Sequence, residues 1–195
     1  MTDAGPSGMT NTPQALPPDH AASFAACLFH VVLVEPEIPN NTGNIGRTCV
    51  ALGCGLHLVH PLGFDVSEKA CRRAGLDYWP RLPLRHYASF DDYAQRSDHP
   101  RRWMLTTKAT RSIFDVTLHR GDALVFGKET RGLSDEVLAR EPEACVSLPM
   151  VPHERSLNLA TAVCAVVYEG VRQLVSRREC AVDASGRLLV DAPVS

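Results

Sequence analysis

The chain has 195 residues, 45% apolar and 22% charged, which is ordinary globular usage and excludes wholesale disorder or a fibrous repeat. That length suits one domain with room for a substantial core. The 20 basic residues against 22 acidic ones leave a net charge of -2, which excludes a uniformly basic nucleic-acid binder but not a local basic patch.

Residues 1–28 hold Pro6, Pro13, Pro17 and Pro18 and no Lys or Arg. Without a basic segment ahead of the apolar run no secretory signal is expected, and this stretch reads as a disordered N-terminal extension. No run approaches the ~20 apolar residues of a membrane span, so no membrane contact is expected. Seven cysteines without a C-x-x-C pair, several in apolar runs such as AVCAVV around Cys164, read as small buried hydrophobes in a reducing, cytoplasmic setting. His57 and His60 lie three apart in the strand-like LHLVH and so face opposite sides. No zinc or other metal is expected.

From Phe29 onward, strand-like and helical segments alternate. FHVVLV (29–34) reads as a buried strand, and Asn41 or Thr42 can cap a helix over 43–52 that stops at Gly53. LHLVH (56–60) is a second strand, followed by a helix near 67–74. The segments around LRHYAS, RWMLTT, DALVFG (122–127) and CVSLP (145–149) continue the strand series, with a helix over 133–140 between the last two. Such alternation predicts an α/β fold with a mostly parallel sheet flanked by helices. A last helix, starting near Ser156, is apolar nearly all round from Leu159 to Tyr168. It needs cover on more than one side, either from the monomer alone or from a second subunit, and a homodimer is the favoured reading.

Three polar clusters, the first two bearing glycine, fall after predicted strands, where open α/β sheets place their ligands. In EPEIPNNTGNIGR (35–47), Arg47 sits on a polar helix face where it can meet an oxyanion or simply be solvated. In FGKETRGL (126–133), Gly127 permits close backbone approach and Glu129 follows in the turn; the cluster is neither a dinucleotide fingerprint nor a P-loop. In LPMVPHERSLNLA (148–160), Ser156 can cap the apolar helix, with Asn158 in its first turn.

The order and spacing of these clusters resemble the SPOUT superfamily of S-adenosylmethionine (AdoMet)-dependent RNA methyltransferases, in its TrmH-like 2'-O-ribose branch. NTGNIGR (41–47), LVFGKETRGL (124–133) and LPMVPHERSLNLATAV (148–163) look like its three motifs. HPLGF (60–64), RRAGLDYW (72–79) and LTTKAT (105–110) are similar to the short TrmL-type enzymes, tRNA (cytidine(34)-2'-O)-methyltransferases. The match runs from about Phe29 to Val175, and the domain is drawn at 29–178, with 179–195 as a C-terminal tail. Lys128, His153 and Ala160–Thr161 depart from the family's usual Pro, Asp and Ser–Asn.

The resemblance implies a C-terminal trefoil knot and an AdoMet site formed by Leu105, Thr106, Gly127, Leu148 and Ser156. It further implies methyl transfer to the ribose 2'-hydroxyl of the wobble nucleotide of tRNA, with Arg47 stabilising the developing oxyanion and Glu129 and Asn158 shaping the site. The alternatives are the same chemistry at another tRNA position or on rRNA, a non-catalytic RNA-binding relative, and a nicotinamide oxidoreductase, which the missing fingerprint disfavours.

Overall fold

The computed structural model describes residues 24–190. In chain order it contains β1 (His30–Val34), α1 (Pro39–Ala51), β2 (Gly55–Val59), α2 (Glu68–Arg73), β3 (Leu84–Tyr87), α3 (Phe90–Arg96) and β4 (Arg102–Leu105). Then follow β5 (Ala123–Phe126), α4 (Asp135–Arg140), β6 (Cys145–Val146), α5 (Leu159–Ser176), β7 (Ala181–Val182) and β8 (Leu188–Leu189).

Six strands pair in parallel in the order β3-β2-β1-β5-β4-β6. The central strands are buried along their whole length, which explains why FHVVLV and DALVF read as continuous apolar runs rather than alternating ones. Side chains alternate between two cores. Val31, Leu33, Leu56, Leu58, Leu124 and Phe126 face α1 and α5 with Ile45, Cys49, Val163 and Val167. Val32, Val34, Val59, Met104 and Val125 face the other way, onto Tyr93 of α3 and Val137 of α4.

Several boundaries differ from the sequence expectation. The first helix begins at Pro39 rather than Gly43, so Asn41 and Thr42 lie buried inside it instead of capping it. Proline suits the first helical position because its fixed φ and missing N–H cost nothing there. The last helix is capped by Asn158, whose Oδ1 accepts from the Ala160 and Thr161 amides at 2.9 and 3.3 Å, and not by Ser156, which is exposed. Nor is α5 uniformly covered within the monomer. Leu159, Val163, Val166, Val167, Val171 and Leu174 are buried, while Thr161, Ala165 and Tyr168 are exposed. At 18 residues and mean hydropathy 1.2, α5 is long and apolar enough to cross a membrane, but its buried face completes the core.

The expected extension, 1–28, lies outside the described residues up to position 23. Of the remainder, Cys27 and Leu28 are buried and Phe24 stacks on His30. Residues 181–189 form the antiparallel β7–β8 hairpin. Arg120 ties both ends of the fold together, its guanidinium donating to the Val190, Glu179 and Ala26 carbonyls at 2.7, 3.2 and 3.5 Å. The cysteines form no disulfide among the described residues. His57 and His60 turn to different partners, His57 to His30 and Tyr87, His60 to His86.

Candidate active site

The loops after β4, β5 and β6 and the start of α5 enclose a cleft of about 630 Å³. Leu105, Thr106, Gly127, Glu129, Leu148, Ser156 and Asn158 all line it. Arg47, the eighth residue singled out in the sequence, is not in its wall. Leu105, Phe126, Leu148, Leu159 and Ala162 supply an apolar surface, and Thr106, Ser156 and the Gly127 backbone supply scattered polar groups. That is the usual make-up of a cofactor pocket, and its size suits a nucleoside carrying an amino-acid tail.

The three motifs are joined by one chain of hydrogen bonds. The Glu129 carboxylate accepts from the backbone amides of Glu37 and Ile38 at 2.8 and 3.2 Å and from Asn41 Nδ2 at 2.9 Å. Asn41 Oδ1 in turn accepts from Asn158 Nδ2 at 2.9 Å, and Asn158 caps α5. The missing cap of α1 is thus the side chain of Glu129, an anion set against the amides at the helix start, where the macrodipole favours negative charge. Glu37 reciprocates by accepting from the Thr130 amide and hydroxyl at 3.1 and 2.8 Å.

Gly127 is constrained by its own loop. A Cβ there would overlap the backbone of Gly132 and Leu133, against which the 127–132 turn closes. The turn is fastened by the Gly132 amide donating to the Lys128 carbonyl at 2.9 Å, with Gly132 at φ +69°.

Cations surround the cleft. Lys108 pairs with Asp135 at 2.5 Å and Lys128 with Glu35 at 2.6 Å. Arg131 and Arg155, both exposed cleft residues, have no carboxylate partner among the described residues. Arg47 lies on α1 with its guanidinium 4.5 Å from the centre of the Tyr78 ring and 3.8 Å from the Asp77 carboxylate. Tyr78 is anchored by its hydroxyl, which donates to the Gly43 carbonyl at 2.5 Å, so the segment RRAGLDYW orients Arg47. Asn41, Arg131 and Arg155 were missed as site residues in the sequence. Asn41 was read only as a cap, and the two arginines carry no local signal among 17.

The family model for the SpoU rRNA Methylase family matches residues 28–168. A tRNA (cytidine(34)-2'-O)-methyltransferase from Saccharophagus degradans is 46% identical over 148 residues, 75% of this chain and 96% of that protein. A solved structure concerned with the 2-OH methylation of C/U34 on tRNA superposes with TM-score 0.72 at 43% identity, covering 78% of this chain and all of that one. The methyltransferase AviRb from Streptomyces viridochromogenes, solved with AdoMet, superposes with TM-score 0.62 at 28% identity, over 75% of this chain and 60% of that one. By motif, fold and extent of match, the chain belongs to the SpoU methylase family of AdoMet-dependent methyltransferases.

Proposed function

We propose that the chain methylates the ribose 2'-hydroxyl of the wobble nucleotide, position 34, of tRNA. The observation that carries this reading is the cleft itself: three motif loops, bonded together through Glu129, Asn41 and Asn158, form one pocket beyond the carboxyl ends of the strands. The extent of likeness to the wobble-position relatives, nearly their whole length, favours tRNA over ribosomal RNA.

Leu105, Thr106, Gly127, Leu148 and Ser156 would hold AdoMet, which when bound would supply an electrophilic methyl group, leaving as the neutral thioether S-adenosylhomocysteine while the 2'-hydroxyl proton passes to solvent. An alcohol is a weak nucleophile at neutral pH, so the protein must align it and stabilise the charge it develops. Arg47, whose guanidinium fork is aimed by Tyr78 and Asp77, is suited to that oxyanion or to the adjacent phosphate. Glu129 and Asn158 act as positioning groups, since their polar atoms are engaged in holding loops and helix ends. Arg131 and Arg155 are free to meet RNA phosphates.

The knotted C-terminal topology belongs to the same reading. Val146 bonds Thr106 on one side, while the Ser147 amide and carbonyl bond Arg111 and Ile113 on the other. This supports passage of the chain through the loop that follows β4. Homodimerisation is supported by the outward face of α5, where Tyr168 is 55% exposed. Residues 29–178 are the catalytic unit, a cytoplasmic enzyme in this reading.

The test is to incubate the purified chain with tRNA and AdoMet, then map 2'-O-methylated nucleosides by digestion and mass spectrometry. Methylation at position 34 is expected. Methylation elsewhere, or only in rRNA, would replace this assignment.

A further inference from the structure

At the end of the sheet remote from the cleft, three histidines from distant parts of the chain converge. His30 opens β1, His57 lies in the middle of β2, and His99 sits in the connection between α3 and β4. One ring nitrogen from each falls within 4.8 Å of the others. His30 Nδ1 and His57 Nε2 are 3.0 Å apart, and the His30 and His99 rings are 4.1 Å apart between centres.

We infer that His30, His57 and His99 form a binding site for a divalent transition metal of the zinc class, separate from the methyltransferase cleft. Bonds of ~2.0–2.1 Å to a tetrahedral ion place ligand nitrogens ~3.3 Å apart. The His30–His57 pair already stands close to that spacing, and a small swing of His99 completes the set. Two further observations favour a ligand here. His99 Nε2 is buried and has no hydrogen-bond partner among the described residues, a position at which a donor atom is otherwise wasted. His57 Nδ1 meets the Tyr87 hydroxyl at 3.0 Å. If His57 donates that hydrogen bond, its Nε2 lone pair points at the cluster, which is how an outer partner sets the tautomer of a metal-bound histidine.

The protonation states agree. Burial pushes the His30 imidazole down to about 3 and that of His99 to about 4, and lowers His57 as well. The three rings are therefore uncharged, and the one hydrogen held between His30 Nδ1 and His57 Nε2 would move to the outer nitrogen of its ring when an ion binds. Asp98 favours positive charge at the site, while Arg85 and Arg102 oppose it. Phe24 covers one side, 4.9 Å from the His57 ring. His99 is half-buried, which leaves an approach for the ion and a fourth position for water. The local expectation from His57 and His60 missed this set because its members are 27 and 42 residues apart.

The experiment uses the full chain without a polyhistidine tag, stripped with a chelator and titrated with Co²⁺ and then Zn²⁺. One equivalent of Co²⁺ is expected to bind with the visible bands of a four-coordinate nitrogen site, to be displaced by Zn²⁺, and to leave AdoMet affinity unchanged. His99→Ala, the least buried position, should weaken binding tenfold or more while circular dichroism and AdoMet binding persist. His60→Ala, which removes a separate two-histidine pair with His86, should bind as the parent does. Absence of stoichiometric binding by the parent chain overturns the proposal. So does undiminished affinity in His99→Ala, or loss of the site in His60→Ala.

Discussion

Removing the Asn41 side chain should loosen all three motifs at once. Asn41→Ala deletes the 2.9 Å bond to the Glu129 carboxylate and the 2.9 Å bond from Asn158. A bond to a charged acceptor is worth ~1.5–3 kcal/mol and a neutral one ~0.5–1.5 kcal/mol. Glu129 keeps two backbone donors and is open to water, so the loss falls in the lower half of the sum, about 2–3 kcal/mol. For a chain of this size that lowers Tm by roughly 5–10 °C. Asn158→Ala forfeits a helix cap and the same shared bond, about 2 kcal/mol together. Because the shared bond is counted in both single variants, the double variant should fall short of the sum by about 1 kcal/mol. Urea denaturation of the four proteins measures this coupling. Additivity within ~0.3 kcal/mol would mean that the two asparagines act independently, and the joined-loop account of the cleft would fail.

Gly127→Ala should destabilise the 127–132 loop and abolish AdoMet binding together, because the added Cβ meets the loop's own backbone rather than only the ligand. Calorimetry showing normal affinity in this variant would contradict that reading. Gly170→Ala should be destabilising by ~1–3 kcal/mol despite alanine's better helix propensity, since its Cβ would stand 2.5–2.7 Å from the buried Phe29 ring; thermal melting checks this. Arg131→Ala and Arg155→Ala should each weaken tRNA binding and reduce the salt dependence by about one phosphate contact, without changing AdoMet affinity. A filter-binding salt titration with an unchanged slope would remove them from the RNA surface.

Much of the fold was legible because the parallel sheet leaves a local trace: strands buried on both faces produce unbroken apolar runs, and loops after them collect glycine and polar residues. Gly127 and Ser156 stand in clusters with that local trace, whereas the cofactor role of Leu105, Thr106, Gly127, Leu148 and Ser156 is implied only by the family motifs; all five line one cleft. Apart from α3, what stayed hidden depends on contacts distant in sequence. The start of α1 was misplaced because its cap is Glu129, 91 residues beyond Ile38. Helix α3 was passed over although Ser89 and Asp92 carry a local signal; the Ser89 hydroxyl accepts from the Asp92 amide at 3.1 Å, and the Asp92 carboxylate accepts from the Ala88 amide at 2.9 Å. The histidine cluster has no such trace, since only the strand order assembles it.

The position of Arg47 makes a last demand on the assembly. It stands outside the wall of the cleft, on a helix whose neighbour α5 exposes Tyr168. If Arg47 acts on the 2'-oxygen, it must reach the methyl donor either by a local rearrangement or from a second subunit seated against this face. In both cases Arg47→Ala should bind AdoMet normally and lose ~10²-fold in single-turnover rate at saturating tRNA. Mixed dimers separate the two cases. Thr106→Trp fills the cleft from its half-buried wall and leaves Arg47 in place. When the two inactive variants are unfolded and refolded together, cross-subunit sites should restore about a quarter of the parental activity, since half the dimers are mixed and each carries one intact composite site. Sites complete within one subunit should restore none. Full single-turnover activity in Arg47→Ala alone would reject both arrangements and leave Arg47 a surface residue paired with Asp77 and Tyr78.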